Sequence, residues 1–305
     1  MATGRPQALV RWTDLAEIVS RRIPAGPRAK AIGLAGGAVV IWATWPSLAS
    51  IAQPTPPFLI LSLAAAAGFV ATASLALKRR DLRGWMDVPR RSIFVVALGL
   101  LGNNAFYLAA IARIGPAEAN IVHYLWPVFM VGFSALALKR APSALQWLGV
   151  FAGFGGVALA LASRLSGGEL SAFGVVLGIC GALTFALYSV ARATAKTRRD
   201  VVGPSMGVIA VASFIAHLAF EPRYLPTIPE TLAIVAIGIG PFTTSNMLWD
   251  RATRAGAPAV IGSMAFMTPI VAVMLLSLLG LSSLSGWILG GAVLAVVGAT
   301  LTARR

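Results

Sequence analysis

Long apolar stretches separated by short polar links follow one another along the chain after residue 30. A helix needs about 20 mostly apolar residues to cross the hydrocarbon core of a bilayer. Ten stretches reach roughly this length, and the links leave no room for a soluble domain. The pattern therefore predicts an all-α polytopic membrane protein with ten transmembrane helices. The predicted spans cover residues 31–51, 57–77, 92–112, 117–138, 143–163, 171–192, 203–220, 230–250, 258–280 and 284–303.

The composition also indicates a membrane protein. Of the 305 residues, 58% are hydrophobic and 11% are charged, whereas a soluble domain has about 25% charged residues. So few charges cannot cover a water-facing surface, which makes the lipid bilayer the expected surrounding. Residues 1–30 are basic and not apolar enough to span. We expect them to form a cytoplasmic segment, either disordered or folded as a short helix on the membrane surface.

The positions of the basic residues predict the orientation. With the N-terminus placed in the cytoplasm, 22 of the 25 Lys and Arg residues fall on the cytoplasmic side, and only Arg113, Arg164 and Arg223 lie outside. Cytoplasmic loops carry such an excess. Both termini are therefore expected in the cytoplasm, in a multi-pass protein of a bacterial inner membrane. The net charge of +15 is then a topology signal, and no nucleic-acid partner is expected.

The two halves of the chain repeat one spacing. Pro127 and Pro269 each lie in the fourth span of a half, and each is followed by a glycine 22 residues later and another 29 residues later. The spacing predicts two five-helix repeats, residues 31–163 and 171–303. Because five is odd, two tandem copies must enter the membrane from opposite sides. Inverted repeats are a recurring plan of secondary transporters, which bind substrate at the repeat interface.

The fourth predicted span carries side chains that lipid does not favour. It contains Asn120, His123, Tyr124, Trp126 and Pro127 within eight residues. Asn120, His123 and Trp126 are spaced three apart, so they share one helical face. This cluster predicts a substrate-binding surface that faces a cavity. For His123, the alternatives are a proton acceptor, a donor to a substrate carboxylate, or a neutral histidine bonded within the bundle.

Other spans also carry polar and aromatic side chains, and two of these, Trp42 and Tyr107, lie too deep to be interfacial anchors. We predict that they bind substrate together with the fourth span, although core packing explains the aromatic ones equally well. These residues are Trp42, Asn103, Tyr107, Tyr188, Ser189 and Asn246.

Four prolines interrupt the apolar spans. Each removes a helical hydrogen bond to the carbonyl four residues earlier, so these positions are candidate hinges, with static kinks as the alternative. The prolines are Pro46, Pro127, Pro241 and Pro269.

Several kinds of chemistry are not supported by the sequence. All ten Asp and Glu residues lie in links or near span ends, which argues against a mid-membrane carboxylate relay. Cys180 is the single cysteine, and no Cys/His cluster predicts a metal or a cofactor. Residues 203–207 match G-x-S-x-G, but this hydrolase motif needs a sheet, and here it opens a membrane span. We therefore do not expect an enzyme.

At this point the residues resemble a known family. Two five-span halves, each with a proline-bearing fourth span and a glycine-rich fifth, look like the two EamA repeats of the drug/metabolite transporter superfamily, over roughly residues 31–303. The stretch 119–127 is similar to the fourth span of the YddG-type aromatic amino acid exporters. The second half keeps Pro269 but not the His-Tyr-x-Trp, so any aromatic site would be asymmetric.

The resemblance implies a secondary transporter. It implies export of aromatic and other neutral amino acids from the cytoplasm, by alternating access through a central aromatic-lined cavity between the two halves. The nearest alternative is the same fold with another small cargo, such as a nucleoside, a sugar conjugate or an organic cation. An intramembrane enzyme, a channel and an assembly scaffold are further alternatives. Because one chain already contains both repeats, we expect a monomer.

Overall fold

The computed structural model describes residues 25–114, 116–161, 171–195, 197, 199–278 and 286–303. The predicted N-terminal segment lies outside the described residues up to residue 24. Residues 162–170 and 279–285 also lie outside them; they comprise the ends of the fifth and ninth predicted spans, the links that follow and the start of the tenth span. Within the described residues the elements are helices joined by short turns and links. In chain order they are α1 (Ala25–Trp42), α2 (Trp45–Ala52), α3 (Pro57–Lys78), α4 (Leu82–Met86), α5 (Arg90–Ile114), α6 (Pro116–His123), α7 (Trp126–Leu138), α8 (Ala144–Leu161), α9 (Ala172–Ala193), α10 (Val202–Phe220), α11 (Ile228–Ile237), a π-helix (Gly238–Thr244), α12 (Ser245–Ala255), α13 (Pro258–Met264), a 3-10 turn (Ala265–Met267), α14 (Thr268–Leu278) and α15 (Gly286–Ala303).

Seven segments within the described residues are long and apolar enough to cross a membrane. They match the predicted spans one to four and six to eight. Three shorter apolar helices, Ala144–Leu159, Pro258–Ala272 and Leu289–Thr302, lie at the fifth, ninth and tenth predicted positions. The chain is therefore an α-helical membrane protein with several apolar helices, as the hydropathy pattern predicts.

Two of the span prolines begin a new helix. The first span breaks at a turn after Trp42, and Pro46 lies in the first turn of α2. The fourth span breaks at a turn after His123, and Pro127 lies in the first turn of α7. The first turn of a helix tolerates proline because its N–H groups have no intrahelical partner there. The polar and aromatic residues before each proline therefore lie at a break in the helix.

The second half breaks differently. Pro241 lies inside the π-helix of the eighth span, and Pro269 is the second residue of α14, directly after a 3-10 turn. A π-helix bonds each N–H to the carbonyl five residues earlier, and it is frequent at functional sites. Three side chains also bond to nearby carbonyls: Thr244 to Ile239, Ser245 to Pro241 and Asn246 to Phe242. These carbonyls are thus occupied, and a hinge role for the four prolines stays a prediction.

Helices from the two halves of the chain pack against one another. α8 packs along α15, α5 along α9, α3 along α10 and α1 along α12. The contact between α8 and α15 is close because glycines meet there. A Cβ atom on Gly149 would lie 2.6 Å from the carbonyl oxygen of Gly298, and one on Gly156 would lie 2.6 Å from that of Gly291. These four are the glycines that follow Pro127 and Pro269 at equal spacing.

Candidate functional site

A cavity of about 870 Å³ lies between helices of both halves. Its wall combines aromatic rings with amide, imidazole and hydroxyl groups. Eight of the ten side chains predicted to bind substrate line it, and their role in binding stays a prediction. They are Trp42, Asn103, Tyr107, Asn120, His123, Tyr124, Trp126 and Asn246.

The cavity is open at one end of the bundle and closed at the other. At the open end its lining reaches the exposed residues Ser50, Gln53, Pro57 and Ala112. At the closed end the lining is aromatic and buried. The open end carries the link between α2 and α3, and the closed end carries the link between α3 and α5.

Four aromatic side chains pack together at the closed end, and we call them the aromatic floor: Trp42, Trp126 and Phe185, which line the cavity, and Trp249, which packs against Trp42 and Trp126. The ring centroids of Trp126 lie 4.8 Å from Phe185 and 5.3 Å from Trp249, and those of Trp42 and Trp249 lie 5.1 Å apart. Tilted and edge-to-face pairs of this kind contribute about 0.5–1.5 kcal/mol each beyond area burial. The floor is therefore a packed layer that joins the first, fourth, sixth and eighth spans.

His123 forms the polar part of the wall. Its Nε2 lies 2.6 Å from Oδ1 of Asn103 on α5, and its ring centroid lies 4.6 Å from that of Tyr107. An amide oxygen only accepts hydrogen bonds, so this contact assigns the proton of a neutral imidazole to Nε2. Nδ1 is then left as an acceptor. His123 is the last residue of α6, and the helix break directly after it begins at Tyr124.

The eighth span contributes a further polar side chain to the cavity wall, that of Asn246. Its Nδ2 donates to the Phe242 carbonyl at 2.9 Å, while its Oδ1 has no hydrogen-bond partner among the described residues. Sequence reasoning missed Gln53, Phe242 and Thr268 as lining residues. Phe242 and Thr268 each lie next to a proline within a span, and this position is the sequence signal that could have identified them as lining residues.

Tyr188 and Ser189 are not brought to the cavity. Ser189 is fully buried and accepts a hydrogen bond from Trp249 Nε1 at 3.1 Å. Tyr188 is 1% exposed and packs against Phe185, with ring centroids 5.5 Å apart. Both residues therefore lie behind the aromatic floor, on the side away from the cavity.

A cluster of charged residues lies beyond the floor, at the ends of α9 and α12. Asp250 is fully buried, and it accepts from Arg192 Nε at 2.6 Å and from Arg254 Nη2 at 2.7 Å. A second ion pair joins Arg251 of α12 to Asp200, which lies in the link between α9 and α10. Burial raises the pKa of Asp200, and the Arg251 guanidinium opposes this rise. Sequence analysis placed Asp250 near a span end, but it did not indicate this burial.

Two carboxylates also accept hydrogen bonds from neighbouring segments at the open end. Glu221, after α10, accepts from the backbone N–H of Phe58 at 2.8 Å and of Leu59 at 3.2 Å, and it pairs with His217 at 2.9 Å. It thus satisfies N–H groups that the first turn of α3 leaves free. Glu230 accepts from Thr55, Tyr224 and Thr227. Within the described residues, no group of three His, Cys, Asp or Glu side chains is placed to hold a metal ion.

Comparison with known proteins agrees with this architecture. Residues 29–162 match the EamA-like transporter family. The chain is 30% identical over 283 residues to the aromatic amino acid exporter YddG of Ancylobacter novellus, covering 88% of this chain and 96% of that protein. It is also 30% identical over 249 residues to YedA of Escherichia coli K12, an uncharacterized inner membrane transporter, covering 76% and 79%.

A solved crystal structure of a protein with 28% sequence identity aligns with a TM-score of 0.83, over 90% of this chain and 96% of that one. Similarity at this level extends over most of the chain and is not confined to one half. The relatives that have a stated role are transporters. The protein is accordingly a membrane transporter and not an enzyme, and the chain belongs to the EamA-like transporter family.

Proposed function

We propose that this protein exports aromatic and other neutral amino acids from the cytoplasm across a bacterial inner membrane. The observation that carries the proposal is the lining of the 870 Å³ cavity, where aromatic rings alternate with uncharged polar groups. No Asp, Glu, Lys or Arg occurs among the described residues that line it. An isolated ion is costly to bury without a counter-charge. A zwitterion brings its own, so a neutral amino acid fits this cavity better than a net ion does.

The lining offers a partner for each part of such a substrate. Trp42, Trp126 and Tyr107 present rings against which an indole or phenyl group can stack. The ammonium group can lie over an aromatic face. The amide N–H groups of Asn103 and Asn120 suit the carboxylate. The named relative from Ancylobacter novellus, an aromatic amino acid exporter, has the same class of substrate.

The helix packing supports ten spans in two inverted repeats. In the proposed repeats, each of the first five spans corresponds to the span five positions later. The third span then corresponds to the eighth and the sixth to the first, so the packing of the third on the sixth is equivalent to that of the eighth on the first. Both pairs are in contact, and the second–seventh and fifth–tenth pairs map onto themselves. The Gly149–Gly298 contact likewise corresponds to the Gly291–Gly156 contact. A pseudo-two-fold axis in the membrane plane accounts for all of these pairs.

The orientation follows from the basic links. The Arg199–Asp87 and Arg251–Asp200 pairs bring the link before α5, the link after α9 and the second half of α12 to one end. These segments carry most of the Lys and Arg outside the N-terminal segment, which supports a cytoplasmic location for that end and for both termini. The aromatic floor is then on the cytoplasmic side, and the cavity faces the outside. Alternating access would open the floor and close the outer mouth, with the span prolines as hinges.

A transport assay tests the proposal. Proteoliposomes are loaded with labelled tryptophan, phenylalanine, threonine or a nucleoside, and efflux is followed against protein-free liposomes. We expect efflux of the amino acids, fastest for the aromatic ones, and none of the nucleoside. Robust nucleoside flux without amino acid flux would replace this proposal with the alternative cargo. Repeating the assay across a pH gradient shows whether proton movement is coupled to transport.

A further inference from the structure

Two buried hydrogen-bond donors beyond the aromatic floor lack a hydrogen-bond partner among the described residues. They are the hydroxyl of Tyr188 and Nη1 of Arg192, and each side chain is 1% exposed. The two residues are four apart on α9, so they lie on one helical face. Phe185, three residues before Tyr188, is part of the floor of the cavity. One face of α9 thus runs from the cavity to two unpaired hydrogen-bond donors.

The surroundings of these donors carry excess positive charge. Both oxygens of Asp250 are already used: Oδ1 accepts from Arg192 Nε at 2.6 Å, and Oδ2 accepts from Arg192 Nη2 at 3.2 Å and from Arg254 Nη2 at 2.7 Å. Arg251 is paired with Oδ2 of Asp200, whose Oδ1 is a buried acceptor without a partner among the described residues. Among the described residues, three guanidinium groups therefore face two carboxylates. The donor that remains on Arg192, together with the Tyr188 hydroxyl, suits an anion.

We propose that Tyr188 and Arg192 form a carboxylate-binding site on the cytoplasmic side of the aromatic floor. The inference rests on the proposed function: the anion is the α-carboxylate of an amino acid, bound when this end of the protein is open. Nε and Nη2 of Arg192 keep their bonds to Asp250 and hold the guanidinium in place. Nη1 and the Tyr188 hydroxyl then donate to the carboxylate. The substrate side chain lies towards Phe185, whose ring centroid is 5.5 Å from that of Tyr188.

This site selects substrates before they reach the cavity. An amino acid brings the carboxylate that both donors need. An amine without a carboxylate meets a net positive cluster and gains neither hydrogen bond. Hydrogen bonds to charged groups are among the stronger ones in proteins, so loss of one donor is expected to weaken carboxylate binding by roughly tenfold.

Tyr188→Phe is the decisive variant, because it removes the hydroxyl and keeps the ring packed on Phe185. Arg192→Lys is the second variant, because it removes Nη1, although it also breaks the paired bonds to Asp250. Initial rates of tryptophan transport are measured in inside-out and right-side-out membrane vesicles. In Tyr188→Phe we expect the KM for tryptophan at the cytoplasmic face to rise roughly tenfold, with kcat near wild type. The KM at the outer face and the inhibition by tryptamine should not change.

The matched control is Ser213→Ala on α10. It also removes a buried hydroxyl without a hydrogen-bond partner among the described residues, and it lies away from the cavity lining. We expect wild-type KM values at both faces. A wild-type KM in Tyr188→Phe, or an equal weakening of tryptophan and tryptamine binding, would overturn the inference and leave the proposed function standing. Absence of tryptophan transport by the wild-type protein would remove both.

Discussion

The side chains of Asn103 and His123 meet across two neighbouring helices, with Asn103 Oδ1 2.6 Å from His123 Nε2. Asn103 lies within α5, and His123 is the last residue of α6, where the fourth span breaks. The hydrogen bond fixes the imidazole at a point where the helix itself no longer does. It also leaves Nδ1 as the nitrogen available to a substrate.

The first prediction concerns this pair. Asn103→Ala and His123→Ala should each reduce kcat/KM for tryptophan by at least tenfold, because either change leaves a polar group unpaired at the cavity wall, at a cost of about 1–3 kcal/mol. The double variant should lose little more than either single one. Efflux rates of all four proteins form a double-mutant cycle, in which a coupling of roughly 0.5–3 kcal/mol is expected for residues in contact. Additive losses would show that the two side chains act independently.

The second prediction concerns the aromatic floor. Trp126→Phe should retain tryptophan transport, while Trp126→Ala should lower the ratio of tryptophan to threonine transport by roughly tenfold, because it removes the ring that lies against both Phe185 and Trp249. The ratio is the informative measurement, since general loss of folded protein lowers both rates alike. Trp287→Ala is the matched control because Trp287 is 56% exposed on α15, and it should leave the ratio unchanged. If Trp126→Ala leaves the ratio of tryptophan to threonine transport unchanged, Trp126 contributes to packing and not to substrate selection.

The third prediction concerns the contact between α8 and α15. Gly149→Ala should destabilise the protein by about 1–3 kcal/mol through overpacking, because the added Cβ would lie 2.6 Å from both the Gly298 carbonyl oxygen and the Thr302 backbone nitrogen. Gly155→Ala on the same helix is the control. There the nearest atom would be a Leu294 methyl at 3.6 Å, which is an ordinary contact. Melting in detergent, followed by tryptophan fluorescence, should therefore show a lower midpoint only for Gly149→Ala. Equal midpoints for the two variants would contradict the close helix contact.

The fourth prediction concerns Asp250. Asp250→Asn leaves the buried Arg192 without the counter-charge that lies 2.6 Å from its Nε, and removing one partner of a buried ion pair costs about 3–5 kcal/mol. Asp87→Asn breaks the pair with Arg199, whose side chains are both exposed, and such pairs contribute about 0–1 kcal/mol. Yield of monodisperse protein and the thermal midpoint should fall strongly in the first variant and little in the second. Similar stability in both would mean that Asp250 is not the buried counter-charge of Arg192.

Much of the fold could be predicted from the sequence because the signals are local. A bilayer requires each span to be apolar over its own length, so hydropathy alone indicated the helical membrane class. The stretch 119–127 carried the likeness to aromatic amino acid exporters before any contact was known. Its lining role was also visible locally, because Asn120, His123 and Trp126 share one face and lipid does not favour them.

The tertiary structure decided which of the remaining polar and aromatic residues face the cavity. Asn103 and Tyr188 looked alike in the sequence, since both are polar and lie within an apolar span. Asn103 meets His123 at the cavity wall, whereas Tyr188 lies behind Phe185. Helical spacing gives the face on which a residue lies, but the helix that covers this face comes from a distant part of the chain.

Asp250 shows the same limit most clearly. The sequence placed it near the end of the eighth span, and its buried partner Arg192 lies 58 residues away in the chain. The sequence by itself determined the apolar spans, the basic links and the cluster from Asn120 to Pro127, because each depends on neighbouring residues and the bilayer. Only the tertiary structure decided the aromatic floor, the hydrogen bond between Asn103 and His123 and the burial of Asp250, because each depends on which helices pack together.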